Sequence, residues 1–355
     1  MNSTGGKFIV TVFGGSHDRN VGCFIDGCPA DINVPEKFIQ QELDRRKPSK
    51  QAFSTKRHEE DKVVILSGIR NSRTTGGRIE LLVENNDIRP SDYDKLGAVP
   101  RPGHADWPLF SRYGMERRGG TGQASGRMTV SMVLAGAIAK KILQRYKVRI
   151  FAYTTQIGAV MAVCKPDYKN LERLRLKNPL YCPDKKAAAK MLRGIESAGK
   201  DGDSLGGIIE CVTLGLPVGT GEPFWDSAEG VLARNVFAIP AVKAIEFGAG
   251  FGVAAMRGSK NNDQFCVKSG SVAMKTNNSG GVLGGMTTGM PVVFRIAVKP
   301  TPSISREQRS VDIKTMKEVE IIVPGRHDVC IVPRAVPVVE AVTAITFADL
   351  ILRKN

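Results

Sequence analysis

The sequence predicts a mixed helix–strand fold, α+β or α/β, in one large domain. Three observations carry this. Helix-like and strand-like segments alternate along the 355 residues, with several hairpin-like turns between strands. Apolar residues make up 42% of the chain, enough for a sizeable core. No G-x-G-x-x-G opens a helix after a strand, which argues against a dinucleotide-binding Rossmann arrangement. No repeat of fixed period is present.

Taken in order, residues 7–33 read as two strands joined across Gly14-Gly15-Ser16-His17-Asp18, because Lys7 to Phe13 is rich in β-branched and aromatic residues. Val34-Pro35-Glu36 opens a helix with Phe38, Ile39 and Leu43 near helical spacing, and Pro48 stops it. Arg45, Arg46 and Lys47 at its end suit the helix dipole, which is the bland account of those charges. Residues 49–61 lack apolar periodicity and are expected to form a mobile polar loop, with His58 in solvent. Val63 to Ile69 and Ile79 to Val83 read as strands joined by a turn at Thr74–Gly77, and 85–100 as a loop.

Residues 128–143 are almost wholly apolar up to Lys140, long enough for four helical turns. Residues 147–163 are strand-like, and 165–200 are charged and helical in places. Residues 206–216 read as a strand, 217–225 as a turn-rich loop and 227–235 as a helix. Strands follow at 241–247, 292–298 and 319–323, and 252–279 reads as polar loop. Val336 to Leu352 is a final buried helix. No run of eighteen apolar residues stands out, so no membrane span is expected, and the N-terminus lacks the basic start and long apolar stretch of a secretory signal.

Seven cysteines are scattered, with no C-x-x-C pair; buried thiols in a reducing cytoplasm are expected, and no metal site. The net charge is +16, from 51 Lys and Arg against 35 Asp and Glu. Such a surplus serves nucleic acid or small polyanionic substrates. Aromatics at only 6%, dispersed basic residues and the lack of zinc-finger spacing or a basic-region helix speak against nucleic acid.

Chemistry concentrates in Arg101 to Arg127, RPGHADWPLFSRYGMERRGGTGQASGR, the span that combines a His, several Arg and a Gly/Ser-rich turn. Its turn enters the apolar run at 128. The first amides of a helix lack intrahelical partners, and glycines let backbone approach an oxyanion, so this is a ready anion site. A structural turn is the plainer reading of the glycines alone. Three of the four histidines, His17, His104 and His327, stand beside glycine-bearing turns.

These residues carry a resemblance. Gly14-Gly15-Ser16-His17-Asp18, the hexapeptide Arg101-Pro-Gly-His-Ala-Asp106, Gly122-Gln-Ala-Ser-Gly-Arg127, Ser279-Gly-Gly-x-x-Gly-Gly285 with Lys299-Pro-Thr301, and Gly325-Arg-His-Asp328 occur in one order. The sequence resembles the chorismate synthase family along nearly its whole length. The resemblance implies an α+β fold of two β-sheets packed around central helices, one domain over 1–355, and a homotetramer. It implies the anti-1,4-elimination of phosphate and a C6 proton from 5-enolpyruvylshikimate 3-phosphate, the last step of the shikimate pathway. Reduced FMN is required with no net redox change; some members reduce their flavin with NADPH and others rely on an external flavin reductase. Two carboxylates and a phosphate on the substrate, and another phosphate on the flavin, give the basic charge a use.

By the same resemblance, His17 stands at the phosphate end of the substrate, His104 beside the flavin as a source of positive charge, and Asp328 near the reacting flavin edge as a proton relay. Histidine suits such posts because small shifts move its pKa across neutrality. Arg46, Arg57, Arg101 and Arg127 match substrate-binding arginines, whose planar forks meet carboxylate or phosphate bidentately. Ser125, Ala241, Gly284, Lys299, Thr301, Ser303 and Arg326 fall where the family meets FMN. An ordinary ion pair with Arg326 is the plainer account of Asp328.

The chain departs from the family at Gly15 (a glutamate there), Asp18 (a glycine), Gln123-Ala124 (usually Arg-Ser), Pro240 (often asparagine) and Ala52 (often a second loop arginine). Two other classes follow: a catalytically weakened relative that binds flavin or phosphorylated ligands without turnover, and a basic nucleic-acid-binding protein.

Overall fold

Alternating burial along Asn20–Asp26 and Ile79–Glu84 sends Val21, Cys23 and Ile25 and then Ile79, Leu81 and Val83 to one face, each fully buried. That face must be covered, and the apolar helix Thr129–Arg145 covers it. The computed structural model describes residues 2–16, 18–47, 60–85, 97–114, 122–323 and 327–354. The first sheet is antiparallel, with strands in the order Ser3–Thr4, Ile9–Gly14, Asn20–Asp26, Ile79–Glu84, Val64–Ser67. The second is also antiparallel, in the order Val242–Phe247, Val292–Val298, Gly207–Leu214, Arg149–Ile157, Val160–Met161.

Between them lie the central helix Thr129–Arg145 and the C-terminal helix Val332–Lys354, packed on each other, with Glu36–Arg46 alongside. The C-terminal helix faces the second sheet. Two sheets around central helices are therefore what the chain builds, as the resemblance implied. At the helix crossing a Cβ added to Gly136 falls 2.3 Å from Ala341 Cβ, so only glycine lets the backbones approach this closely.

The C-terminal helix starts at Val332 rather than Val336, and it is long and apolar enough to cross a membrane. In this fold 89% of its apolar window is buried inside the protein. A helix hydrophobic on all sides fits a core position between layers.

The polar reading of 252–279 is corrected. Phe265–Lys268 and Ser271–Met274 pair as a hairpin whose turn residues, Ser269 and Gly270, both have positive φ, 50° and 76°. Its outer positions are exposed on both faces, so no apolar alternation marked it. A second hairpin, Gln308–Asp312 with Lys317–Ile321, overlaps the strand predicted at 319–323, which begins earlier and ends at Ile321, and adds a partner the sequence did not signal. Asp106–Tyr113 forms a helix inside the central stretch, and 165–200 resolves into Tyr168–Leu174 and Lys185–Lys200. The loop expected at 49–61 lies outside the described residues except Glu60 and Asp61, and Asp61 is buried, not solvated. His58 lies outside them too. All seven cysteines are free.

Candidate active site

The predicted residues fall into two groups, the first at the start of the central helix. The first is built on Arg46, at the last turn of Glu36–Arg46, and Arg127, in the 3-10 turn Gly126–Met128 that leads into the central helix. Both are buried. Arg46 donates from Nη1 to Asp61 Oδ2 at 2.9 Å, from Nε to Thr129 Oγ1 at 2.8 Å and from Nη2 to the Gly126 carbonyl at 3.4 Å. Arg127 donates to the other Asp61 oxygen, to Asn85 Oδ1 at 2.7 Å and to the Glu84 carbonyl at 3.4 Å. Ser125 Oγ accepts the Arg127 amide at 3.2 Å and so caps the turn that holds this arginine.

Asn85 reaches onward. Its Nδ2 donates to the carbonyls of Gly15 at 3.2 Å and Asp18 at 2.5 Å, and the Ser16 amide donates to the Gly122 carbonyl at 3.3 Å. The residues on either side of His17 are thus fastened to the arginine group. His17 itself, with Arg57 and Arg326, lies outside the described residues. A Cβ placed on Gly15 would stand 3.2 Å from an Asp18 carboxylate oxygen, so the two departures in this box are neighbours in space.

The second group gathers on residues 101–106 and 299–303. Arg101 and Asp106 form a buried bidentate pair, Nε to Oδ2 at 2.7 Å and Nη2 to Oδ1 at 2.8 Å. Asp106 also opens the helix Asp106–Tyr113, where a negative charge suits the dipole. Burial works against its charge, but the Arg101 bonds outweigh it and hold the carboxyl below the usual range. The turn between them presents His104, whose Nε2 lies 2.7 Å from Ser303 Oγ. Lys299 Nζ donates to the Gly103 carbonyl, and the Lys299 amide donates to the Ala241 carbonyl at 2.9 Å. Ala241 has φ 71°, a left-handed conformation rare for alanine. Thr301 Oγ1 is buried with no hydrogen-bond partner among the described residues.

Burial, then the positive charges of Arg101 and Lys299, push His104 down to about 4 despite Asp106. The imidazole is therefore neutral at neutral pH in this protein. An anion bound beside it would supply the opposing pull towards the positive charge expected there.

The two groups join through residues 327–334. His327 is close enough to His104 to depress its pKa. Asp328 Oδ2 accepts from Arg334 Nη1 at 2.5 Å, and Arg334 Nε reaches the Arg46 carbonyl at 3.4 Å. The loop after Lys185–Lys200 packs between 299–305 and 327–330: Ser204 Oγ bonds the Thr301 carbonyl at 2.7 Å, and the Leu205 amide bonds the Val329 carbonyl at 2.9 Å. Gly284 is set apart. It occupies the turn of the Val282–Leu283 and Met286–Thr287 pair, and the next glycine packs on Glu222 and Ser227, outside both groups.

Sequence reasoning missed Asp61, Asn85, Thr129, Asp106 and Arg334 as parts of this site. Asp106 lay within a quoted motif, and the signal for it was an Asp five residues from an Arg at a helix start. Asp61 and Asn85 sit in polar stretches where nothing but the fold marks them as buried.

Comparison with known proteins agrees with this geometry. The family model described as chorismate synthase matches residues 8–352. A Dehalococcoides mccartyi protein named chorismate synthase is 48% identical over 354 residues, covering 99% of this chain and 97% of that protein. One of the same name from Methanocaldococcus jannaschii is 47% identical over 370 residues, covering 99% and 97%. A solved crystal structure of chorismate synthase superposes with a TM-score of 0.77 at 25% identity, covering 99% of this chain and 93% of the other. This chain belongs to the chorismate synthase family.

Proposed function

We propose that this chain, acting as one domain over 1–355, converts 5-enolpyruvylshikimate 3-phosphate to chorismate by anti-1,4-elimination of phosphate, as a carbon–oxygen lyase. The observation that carries the reading is the polar circuit from Arg127 through Asp61 and Arg46 to Arg334 and Asp328, next in the chain to His327, which lies near enough to the Ser303-bonded His104 to act on its charge. It sets cations for an anionic substrate beside groups able to move protons.

The residues present fit a reduced flavin mononucleotide. Lys299, Ser303 and the Thr301 hydroxyl, which has no partner among the described residues, form a donor set for a phosphate or a polar ring edge, with Ser125, Ala241 and Arg326 as further contacts and Gly284 on a separate turn outside this group. When bound, reduced FMN supplies electron density for loss of hydrogen from an unactivated carbon and takes it back, so the reaction has no net redox change.

The chain does the rest. Arg46, Arg57, Arg101 and Arg127 hold the carboxylates and phosphate, and bidentate contact fixes the substrate's orientation as well as its charge. His17 protonates or hydrogen-bonds the leaving phosphate. His104, neutral in the unliganded protein, accepts a proton when an anion binds beside it. Asp328, held by Arg334, relays the proton lost from C6. We further propose a cytoplasmic homotetramer, with flavin reduced by NADPH or by an external reductase, and with neither nucleic acid nor membrane as a partner.

An anaerobic assay with the substrate and chemically reduced FMN tests this. Phosphate and chorismate appearing in equal amounts, and lost in His104→Ala, is the expected result. Folded, flavin-loaded protein that yields neither favours a weakened relative that only binds. Adding NADPH in place of the chemical reductant shows whether the chain reduces its own flavin.

A further inference from the structure

Asp61 is 2% exposed, yet it stands between two arginines on unconnected elements, one closing a helix and one opening another. Each of its oxygens takes one arginine, Oδ2 from Arg46 at 2.9 Å and Oδ1 from Arg127. Among the described residues the guanidiniums also bond neutral groups: Thr129 Oγ1 and the Gly126 carbonyl for Arg46, Asn85 Oδ1 and the Glu84 carbonyl for Arg127.

We propose that Asp61 is a positioning residue that presets Arg46 and Arg127 as one fork pair for the anionic groups of the substrate. This rests on the reading above that these arginines meet the substrate. Two guanidiniums this close repel each other, and without a shared carboxylate their side chains lose their common orientation. With it, the geometry is fixed before the ligand arrives, so binding costs less ordering of the side chains.

The chain around residue 61 is shaped for this post. Asp61 has φ 45°, a left-handed conformation that Asp, Asn and Gly tolerate and most other residues do not. Gln40, on the first helix, clamps the backbone on both sides: its Nε2 donates to the Asp61 carbonyl at 3.0 Å and its Oε1 accepts from the Val63 amide at 3.0 Å. Backbone placement therefore does not depend on the carboxylate, and Asp61→Asn and Asp61→Gly both suit the local conformation.

The test compares wild type, Asp61→Asn and Asp61→Gly. Affinity for 5-enolpyruvylshikimate 3-phosphate is read by calorimetry, KM and kcat by the anaerobic assay, and folding by thermal melting. The expected result is at least a tenfold weaker affinity and higher KM in both variants, with a smaller change in kcat. Added formate should restore affinity to Asp61→Gly, by entering the vacated space, and not to wild type or Asp61→Asn. A merely structural role would lower the melting temperature without formate rescue. Wild-type protein that turns over while both variants keep affinity within twofold, or a formate effect absent from Asp61→Gly, overturns the proposal. Wild-type protein that binds no substrate removes the reading beneath it and the proposal together.

Discussion

His104 Nε2 and Ser303 Oγ lie 2.7 Å apart although 199 residues separate them in sequence. The contact closes the 101–106 turn onto the 299–303 segment, and it is made by a neutral imidazole. His104 sits at about 4, below its ordinary 6.5, because burial and then Arg101 and Lys299 disfavour the charged form. The folded protein thus binds this proton less readily than the unfolded chain does. Its contribution to stability is whole above pH 6.5 and is lost as pH falls from there towards 4. Imidazole resonances followed by NMR should show His104 uncharged at pH 6 in the free protein and titrating higher once substrate and FMN are bound. A free-protein midpoint at or above 6.5 contradicts the burial argument.

Replacing the ring removes both the contact and the proton acceptor. His104→Ala should lower kcat by about 10²–10⁴-fold, the usual worth of a general acid–base group. Ser303→Ala should cost less, since it loosens the ring without removing it. Steady-state rates under anaerobic conditions decide the order; equal losses in the two variants would make Ser303 a participant and not a support.

Much of the fold was legible because burial follows simple periods. The strands at 79–84 and 292–298 alternate, and 128–139 is almost wholly apolar. The hairpin at 265–274 was not, because most of its positions are exposed and its burial does not alternate. Within the site, Arg101, His104 and Lys299 announced themselves through motifs, and the structure brings them together. Asp61 and Asn85 gave no sign: each is a polar residue in a polar stretch, and only the tertiary fold shows them buried against arginines.

Glu340 should be among the costliest side chains to lose. It is 1% exposed on the C-terminal helix and takes Arg45, Lys140 and Arg175 at once, at 2.5–2.9 Å, together with the Ala152 amide at 3.1 Å. Burial alone would raise its pKa, but Arg45, Lys140 and Arg175 outweigh it and hold the carboxyl well below its ordinary 4.5. Its contribution to stability is present above pH 4.5 and is lost as pH falls through the depressed value. Glu340→Gln leaves the buried Arg175 and the half-buried Arg45 and Lys140 short of an anion and should cost about 3–5 kcal/mol in chemical denaturation. A loss under about 1 kcal/mol would mean that water or Glu42 compensates.

Gly136 sets how closely the two central helices approach. A methyl group there meets Ala341 Cβ at 2.3 Å, inside any real contact, and Ala341 backbone at 2.5 Å. Helix propensity favours alanine over glycine by about 1 kcal/mol, so an exposed site would gain from the change. Here overpacking opposes it, at about 1–3 kcal/mol or more. Gly136→Ala should therefore be destabilised in urea, and Gly136→Val more so. Unchanged midpoints would show that the helices slide apart freely.

Arg334 is placed to hold Asp328 without belonging to any motif read from the sequence. Its Nη1 lies 2.5 Å from Asp328 Oδ2 while its Nε touches the Arg46 carbonyl at 3.4 Å, so one side chain spans the proposed proton relay and the end of the arginine-bearing helix. Arg334→Ala leaves the carboxylate without that anchor, and small misplacements of a reacting group cost up to about 10²-fold in rate. The expected outcome is a fall in kcat of about 10–100-fold with a smaller rise in KM, because the relay is displaced more than the substrate arginines. Arg334→Lys keeps the charge but not the fork, so it should recover only part of the loss. A rise in KM larger than the fall in kcat would instead place Arg334 in substrate binding, with the bond to Asp328 incidental to the chemistry.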